Sequence, residues 1–579
     1  MGTQWQLSLL LQLTGKLFIV TVVLILSYTF STPASIQLLA QQPIPQNFVT
    51  YEKRSTFIKE FMVPINERGL KGIVTDDEQN IWFYHATVNS STILKMSKEG
   101  QNFTSYSIPG NTTSDRAIIN LAGGQLLFDN ITNVIWFTDA RINSVGKLDI
   151  RTNAIELFSI PTTNSGINGL AISPDKKFLW FTEITGNKMG SLDIENKKMV
   201  EYPTGDATGP TLLTFDSNGV LWVTLSYANS ILRVEPWLLI PGIMNTGMYS
   251  MPLEKPEFFS PFGIAIAQIS GVEKLFLSDH GSSRVIVSNL TSELRNYTSY
   301  WTSPSTSLSM SLPSQIVSDK DGNIFFVEHG GNKIAKISYK DRLMTEFEIP
   351  TGPLATSIFL TLSDDGKRVW FTEWASNKIA YLDNTVGVPL VMGTRNNEST
   401  SNPDLRPIVL HQGQNSSVKA SLSLNKNLIS KAFTNDIQLS VVGMTDSGLQ
   451  GIEYTINPHT VNIMEVPERD LNVNIKVQEV NGKAGNYTIM LRASLLEKDG
   501  LTVSSLYPQP VKLDVPKKQS EISKVQNFQE FSSKRSESSE TSAILFRDLI
   551  RGGAIAMAII LLAYLLYRNI GRRIKFKKS

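Results

Sequence analysis

One position in this chain carries a carboxylate again and again, two residues after a pair of apolar, mostly aromatic side chains. The position holds His85 and Leu225 in two copies and an acid in five, namely Asp139, Glu183, Asp279, Glu328 and Glu373. Carboxylates on one face of a protein can hold a divalent cation such as Mg²⁺, so Glu328 and Glu373 are candidate metal ligands. The alternative is structural, with each carboxylate accepting hydrogen bonds from the turn that follows.

Two histidines and a tryptophan depart from this repeat. His280 and His329 directly follow Asp279 and Glu328, and Trp374 follows Glu373. An acid and a histidine on neighbouring copies, beside an aromatic wall, can form a ligand pocket in which His280 and His329 are candidate general bases. Alternatively, each histidine packs between neighbouring copies, because adjacent strand residues point to opposite sides. The candidate ligand-binding set is Asp139, Glu183, Asp279, His280, Glu328, His329 and Trp374.

The aromatic pair marks an internal repeat. Successive pairs stand about 42 to 54 residues apart, the spacing of propeller blades. The pairs are Trp82-Phe83, Trp136-Phe137, Trp180-Phe181, Trp222-Val223, Phe276-Leu277, Phe325-Phe326 and Trp370-Phe371. Each copy contains hairpin turns such as Asp321-Gly322, which separate four alternating segments. The sequence therefore predicts an all-β fold with a seven-bladed β-propeller over residues 57–390.

The last copy lacks a fourth strand of its own. Residues 57–64, ahead of the first copy, have the pattern of that missing strand. We expect residues 57–64 to complete the seventh blade, because this leaves no open sheet edge between the first and last blades.

Residues 405–516 show short alternating segments with Asn-Gly and Asp-Gly turns, which predict a small immunoglobulin-like β-sandwich. Residues 396–402 form a polar linker before it. Residues 517–541 are rich in Ser, Lys and Glu, which predicts a flexible stalk.

Both ends of the chain carry apolar segments. Residues 1–34 contain an apolar stretch and a small-residue site, typical of a secretory signal peptide, with an uncleaved anchor as the alternative. Residues 550–570 predict a transmembrane helix, and the basic residues of 571–579 place the C-terminus in the cytoplasm. The sequence thus predicts a single-pass protein of the cell membrane whose propeller lies outside the cytoplasm.

The composition narrows the function further. The formal net charge is +2 and the chain has no cysteine. The balanced charge argues against nucleic-acid binding. The absence of cysteine excludes disulfides and thiol catalysis. Sequons at Asn102, Asn289 and Asn486 allow glycosylation of an exported domain.

Two further segments have open interpretations. Residues 236–244 are unusually apolar and either contact a partner or lipid, or fold under and cap the fourth blade. Residues 319–323 resemble the start of a calcium loop but lack its final Glu, and they lie where a hairpin turn is expected.

The repeat reads Trp-Phe-Thr-Glu, then Asn-Lys-Ile or Asn-Lys-Met, then Glu-Phe-x-Ile-Pro-Thr, and it resembles the virginiamycin B lyase (streptogramin lyase) family of seven-bladed propellers over residues 57–385. The resemblance implies ring opening of a cyclic depsipeptide by elimination, with Mg²⁺ and a general-base histidine in a loop leading into a blade. Glu183, Glu328 and Glu373 match the metal-binding carboxylate of the repeat. The loops at residues 167–169, 210–212, 261–263, 313–315 and 353–355 contain no histidine, so the base is not found at its expected position.

Three hypotheses for the function follow. The first is recognition of a surface protein, a glycan or a small ligand. The second is a metal-dependent carbon–oxygen lyase or lactonase with a site rebuilt from Asp279, His280, Glu328, His329 and Glu373. The third is a purely structural component of the cell envelope.

Overall fold

The computed structural model describes residues 54–100, 102–241, 246–252, 260–290, 297–304, 310–339, 341–352, 355–394, 407–411, 415–442, 452–465, 473–479 and 485–514. The predicted signal peptide or anchor, polar linker, stalk, transmembrane helix and basic tail lie outside these residues. Within the described ranges, no helix combines the length and apolar character needed to cross a bilayer.

Most of the chain consists of seven consecutive units of antiparallel strands, preceded by the strand β1 (Ile58–Met62). Unit 1 contains β2 (Leu70–Thr75), β3 (Ile81–Ala86), β4 (Ser91–Met96) and β5 (Phe103–Ser107). The helix α1 (Arg116–Leu121) follows. Unit 2 contains β6 (Leu126–Asp129), β7 (Val134–Asp139), β8 (Ser144–Asp149) and β9 (Ile155–Ser159). Unit 3 contains β10 (Ile167–Ile172), β11 (Phe178–Glu183), β12 (Lys188–Asp193) and β13 (Met199–Pro203).

The remaining units follow the same order. Unit 4 contains β14 (Pro210–Phe215), β15 (Leu221–Leu225), β16 (Ser230–Val234) and β17 (Met248–Pro252). Unit 5 contains β18 (Pro261–Ile269), β19 (Val272–Asp279), β20 (Arg284–Asn289) and β21 (Tyr297–Trp301). Unit 6 contains β22 (Pro313–Ser318), β23 (Asn323–Glu328), β24 (Lys333–Ser338) and β25 (Leu343–Glu348). Unit 7 contains β26 (Ser357–Leu362), β27 (Arg368–Glu373) and β28 (Lys378–Asp383).

The first strands of successive units contact one another around a complete circle, from β2 to β26 and back to β2. They line the middle of an all-β propeller. Because strands alternate in direction, the turns between second and third strands and the connections between units lie on one face, which we call the upper face. The turns between first and second strands and between third and fourth strands lie on the lower face.

The hairpin turns on the lower face explain part of the repeat. Asp216 accepts hydrogen bonds from the backbone of its own turn and from the indole of Trp222 at 3.0 Å. Asp76 accepts from Trp82 in the same way at 2.8 Å. Asp319 accepts from the backbone N–H groups of its turn, so residues 319–323 form the expected hairpin turn. The Asp therefore fixes the turn and the aromatic strand together.

The N-terminal strand closes the last unit, which confirms the strand pairing predicted from the sequence. β1 pairs antiparallel with β28 over its whole length, from Ile58 opposite Leu382 to Met62 opposite Lys378. Six of the seven units, including unit 7 completed by β1, form separate four-stranded sheets.

Unit 6 differs because its sheet continues into the C-terminal part of the chain. This part contains β29 (Leu390–Thr394), β30 (Ile408–His411), β31 (Asn415–Leu424), the helix α2 (Lys426–Ala432), β32 (Phe433–Val442), β33 (Ile452–Asn457), β34 (Thr460–Asn462), β35 (Val473–Glu479), β36 (Gly485–Glu497) and β37 (Thr502–Asp514). β29, β31, β35 and β33 form one sheet, whereas β37 pairs antiparallel with β25 and joins β36, β32, β34 and β30 to unit 6 in a nine-stranded sheet. The sequence predicts a small β-sandwich after a polar linker, and the described residues of this part form one compact unit with the propeller, to which β37 is paired.

Candidate functional site

All five recurring carboxylates are buried, and Asp139, Glu183, Asp279, Glu328 and Glu373 are each 0 % exposed. They end the second strands at the upper face but point into the protein rather than onto an open surface. Their neighbours therefore decide whether they act as ligands or as parts of the framework.

The threonine before the carboxylate ties neighbouring units together. Thr182 donates a hydrogen bond at 2.7 Å to the carbonyl oxygen of Thr211 in the next unit. The corresponding bonds run from Thr138 to Asn168, Thr224 to Phe262, Ser278 to Ser314 and Thr372 to Lys71. Unit 6 has Val327 here, and the hydroxyl of Ser314 instead donates to Ile358 at 3.0 Å. This part of the repeat is framework.

A buried cluster of two carboxylates, a lysine and a hydroxyl recurs in three units, and we call it the Glu–Lys–Glu cluster. In unit 3, Lys188 Nζ lies 2.7 Å from Glu201 Oε2 and 2.6 Å from Thr162 Oγ1, beside Glu183. Thr162 comes from the end of the preceding unit and donates two hydrogen bonds to Glu201, from its backbone N–H and from its hydroxyl, at 2.9 Å each. Unit 6 uses Glu328, Lys333, Glu346 and Ser303, and unit 7 uses Glu373, Lys378, Glu60 and Thr351. Each cluster joins two neighbouring units.

The sequence interpretation missed the lysine and the second carboxylate of this cluster. The sequence does contain a signal for it. A lysine follows Glu183, Glu328 and Glu373 by five residues, and Arg284 follows Asp279 at the same spacing. Arg284 Nε donates to Asp279 Oδ2 at 3.0 Å. Asp139 has no such cation at that spacing and instead accepts from the backbone N–H of Arg141 at 2.9 Å.

Burial raises the pKa of the first carboxyl in each cluster. Burial and the nearby negative charge of Glu201 raise the pKa of Glu183 to about 8. Burial and Glu60 raise the pKa of Glu373 to about 7. Burial and Glu346 raise the pKa of Glu328 well above its usual range. The raised pKa means that a neutral first carboxyl is favoured where two carboxyls are buried side by side.

The clusters do not fit a magnesium ion. Lys333 Nζ lies 3.2 Å from Glu328 Oε2 and 3.1 Å from Glu346 Oε2, so an ammonium occupies the place between the carboxylates that a cation would take. Mg²⁺ binds ionised oxygen ligands and usually keeps several waters, whereas Glu328 and Glu373 are 0 % exposed. Within the described part of the chain, no group of three or more His, Asp or Glu side chains could hold a metal ion. The predicted divalent cation remains a prediction from the sequence.

The structure brings the two histidines of the repeat together. The rings of His280 and His329 lie 6.2 Å apart between centroids, and the ring of Phe262 lies 5.6 Å from His280. His280 Nδ1 lies 3.1 Å from the carbonyl oxygen of Pro313, and His329 Nδ1 lies 3.1 Å from that of Ser357. Each histidine therefore reaches from its own unit to the first strand of the next. Both side chains are partly exposed.

These contacts fix the chemical form of the imidazoles. A carbonyl oxygen only accepts hydrogen bonds, so the Nδ1 atoms of His280 and His329 carry the proton and their Nε2 atoms keep a lone pair. Burial, with His329 as a smaller cause, lowers the pKa of His280 to about 4. Burial also lowers the pKa of His329. Near pH 7 the pair consists of two neutral imidazoles that offer hydrogen-bond acceptors.

The depressed pKa of His280 predicts a pH-dependent stability. The unfolded imidazole titrates near 6.5 and the folded one near 4, so the stabilisation is fully present above pH 6.5 and is lost as the pH falls to about 4. Its size is at most about 3 kcal/mol. We expect the free energy of unfolding, measured by denaturant titration at pH 7 and pH 5, to fall less in His280→Asn than in the wild type. The raised pKa values of Glu183 and Glu328 make the protein more stable as the pH falls, which opposes the effect of His280. The difference in pH dependence between the wild type and His280→Asn therefore isolates the contribution of His280. An identical pH dependence would contradict the assignment.

The remaining predicted site residue, Trp374, lies on unit 7 beside the unit that carries His329 and is partly exposed. Its backbone carbonyl accepts a hydrogen bond from Gly69 at 3.3 Å. The residue four positions after the carboxylate, or after Leu225 in unit 4, adopts a positive φ in six units, at Asn143, Asn187, Asn229, Ser283, Asn332 and Asn377. His411 and His459 lie outside the propeller units and are exposed.

Part of the chain is similar to known proteins. The model of the virginiamycin B lyase family matches residues 55–268, which is less than half of the chain. A streptogramin B lyase structure is 24% identical, with a TM-score of 0.47, and covers 56% of this chain and 97% of its own. A selenomethionine-substituted virginiamycin B lyase from Staphylococcus aureus is 21% identical, with a TM-score of 0.46, and covers 56% and 98%. No curated protein sequence matches.

The fold and the repeat thus define a class, the all-β propellers. Within that class, residues 55–268 are similar to the virginiamycin B lyase family.

Proposed function

We propose that this protein binds a ligand on the upper face of the propeller, at the paired histidines. The observation that carries the proposal is the pair itself, in which two neutral imidazoles stand 6.2 Å apart next to Phe262 and each has its Nδ1 atom held by a carbonyl oxygen. Two acceptor nitrogens beside aromatic rings favour a flat, neutral ligand that donates hydrogen bonds, such as a glycan, a small molecule or part of a surface protein.

The wider setting of this site is also part of the proposal. Unit 6 counts as a seventh blade whose sheet is extended by β37, and the C-terminal sheets are an immunoglobulin-like module. Residues 550–570 anchor the chain in the cell membrane, and the propeller lies outside the cytoplasm. The apolar composition of residues 550–570 and the basic tail support this setting.

A ligand screen tests the site. The protein spanning residues 54–516 is heated with glycans, lactones and cyclic depsipeptides, and shifts in the melting temperature are compared between the wild type and His280→Ala/His329→Ala. We expect ligands that raise the melting temperature of the wild type by several degrees to lose that effect in the double variant. The matched control is His411→Ala/His459→Ala, which changes two exposed histidines outside the propeller units. Ligands that stabilise the double variant equally, or no stabilising ligand at all, would refute the site.

The second candidate is a lyase or lactonase, because a neutral imidazole with a free Nε2 lone pair is a competent general base. In this case His329 or His280 removes a proton from the bound substrate, without Glu328 or Glu373 as metal ligands. Turnover of the same lactones and cyclic depsipeptides separates the two candidates. Product formed by the wild type and not by His329→Ala would establish the enzyme, whereas stabilisation without product supports the binding protein.

A further inference from the structure

Residues 236–241, in the apolar segment between β16 and β17, carry three exposed side chains. Pro236–Leu238 form a single turn of 3₁₀ helix, and Leu238 N–H donates to the Glu235 carbonyl at 2.9 Å. Trp237 is 61% exposed, Leu238 44% and Ile240 48%. The sequence left open whether this segment is exposed or folded under, and the structure combines both possibilities.

Leu239 is the part that folds under. It packs against the core between units 3 and 4. Ile240 N–H donates to Thr246 Oγ1 at 3.0 Å, which holds the far side of the turn. The turn therefore presents Trp237, Leu238 and Ile240 outward on a fixed support instead of collapsing them onto the protein. Residues 236–246 contain no charged residue.

The neighbouring unit has an exposed apolar side chain beside the same groove. Trp237 and Val272 line this open groove, of about 800 Å³, together with polar side chains that include Asp216, Arg233 and Glu273, and Val272 is 50% exposed. Tyr249, on the strand after the turn, is 48% exposed. Contiguous exposed apolar side chains of this kind mark contact surfaces for protein or lipid.

The direction in which the C-terminal strand runs indicates what the apolar turn contacts. The turn joins the third and fourth strands of unit 4, so it lies on the lower face. β25 runs from the lower to the upper face and β37 runs antiparallel to it, with Val503 opposite Phe347 and Leu506 opposite Met344. β37 therefore runs towards the lower face, and Asp514 lies eight residues beyond Leu506, which is about 26 Å of strand. The described chain ends on the side of the ring that carries the apolar turn.

From Asp514 the chain has 37 residues, 515 to 551, before the uncharged segment Gly552 to Tyr567. A flexible linker of that length spans about 30 Å. We propose that Trp237, Leu238 and Ile240 insert into the surface of the lipid bilayer to which the chain is attached. This inference rests on the proposed membrane attachment. It orients the lower face towards the bilayer and the histidine pair of the upper face away from it.

The chemistry of the turn fits lipid. Tryptophan concentrates at the interface between headgroups and acyl chains, where its ring is buried and its N–H stays near water. Leucine and isoleucine partition into the acyl region. Arg233 lies 2.7 Å from Glu235 and offsets its charge, but Asp216 and Glu273 line the same groove as Trp237, so acids outnumber cations beside the turn and we expect zwitterionic lipid to be a better surface than anionic lipid.

Fluorescence quenching on tethered protein tests the proposal. Residues 54–516, which retain every described contact, carry a C-terminal hexahistidine tag and are attached to phosphatidylcholine vesicles that contain a nickel-chelating lipid and brominated acyl chains. We expect the bromines to quench one component of the tryptophan fluorescence. Trp237→Phe removes that component and assigns it. In Leu238→Ser/Ile240→Ser, quenching should fall to about a tenth or less, because each large apolar side chain is worth about tenfold in partitioning.

Exposed apolar residues elsewhere in the chain provide matched controls for this experiment. Tyr227, in the turn between β15 and β16 on the upper face, is 54% exposed, and Met464 of the C-terminal part is 84% exposed, so Tyr227→Ser and Met464→Ser should leave quenching unchanged. No quenching in the tethered wild type, or quenching that persists in Leu238→Ser/Ile240→Ser, would overturn the proposal, and the former result would favour a protein partner for the turn.

The membrane attachment has its own test. The full chain and a chain ending at Pro516 are expressed and fractionated, and only the full chain should enter the membrane fraction. If both are soluble, the proposed attachment fails. The quenching result is independent of this outcome, because the nickel lipid supplies the tether.

Discussion

Phe57→Ala should lower the free energy of unfolding by about 3–5 kcal/mol, the range for deleting a large aromatic side chain from a core. Phe57 is 2% exposed and its ring lies 5.1 Å from Phe347 of unit 6 and 6.1 Å from Phe433 of the C-terminal sheets. It also precedes β1, which closes unit 7. The substitution therefore opens a cavity where three parts of the fold meet. Urea denaturation followed by tryptophan fluorescence and by circular dichroism measures the loss.

The matched control is Phe178→Ala. Phe178 begins β11 and is 36% exposed, so its loss should cost less than about 1 kcal/mol. If the two variants are equally stable, the seam around Phe57 does not contribute as the structure indicates. Separate transitions in the two signals would show that the propeller and the C-terminal sheets unfold independently, against the single compact unit.

Lys333→Ala should also destabilise the protein by about 3–5 kcal/mol, because removing one partner of a buried ion pair leaves its counter-charge buried and unpaired. Lys333 is 9% exposed at its side chain and contacts Glu328, Glu346 and the hydroxyl of Ser303. After the substitution, two carboxyls remain in a site that excludes water. The same denaturation experiment measures this loss of stability. The loss should grow as the pH rises, because burial raises the pKa of Glu328 and this carboxyl is neutral only at lower pH.

Lys147 provides the comparison for this prediction. It is the lysine of a third strand in unit 2 and lies 2.8 Å from Glu156, but the two side chains are 27% and 35% exposed. Water screens such a pair, so Lys147→Ala should cost at most about 1 kcal/mol. An equally small effect of Lys333→Ala would mean that the Glu–Lys–Glu cluster is not a stabilising link between units.

The sequence predicted those parts of the fold that depend on local pattern. The aromatic repeat located every second strand, and the Asp turns located the hairpins. The pairing of residues 57–64 with the last unit was also predictable, because the last copy lacked a strand and an unmatched strand preceded the first copy. The edge pairing of β25 with β37 was not predictable, because the outer strand of unit 6 has no pattern that distinguishes it from the outer strands of the other units.

The site was predicted less completely, for a physical reason. A sequence shows that Glu328 and His329 are adjacent, but not that one is buried against Lys333 while the other reaches the carbonyl of Ser357. The five-residue spacing from acid to cation was visible and would have identified the framework role of the carboxylates. The choice of tautomer, and so the acceptor character of the histidine pair, depends on which carbonyl oxygens the fold brings to Nδ1.

The closing strand has a consequence for how the chain reaches its native state during synthesis. β1 is synthesised early, yet Lys378, which pairs with Met62, lies 316 residues later in the chain. The N–H of Thr56 donates to Glu497, which is synthesised later still. At about 5–20 residues per second, translation leaves this strand without its partner for roughly 15 to 60 s. The apolar side chains of Phe57 and Ile58 are exposed during that time. The N-terminal strand is thus the first strand of the ring to be made and among the last to be placed, so its propensity to pair with other chains should limit the yield of folded protein more than any later strand does.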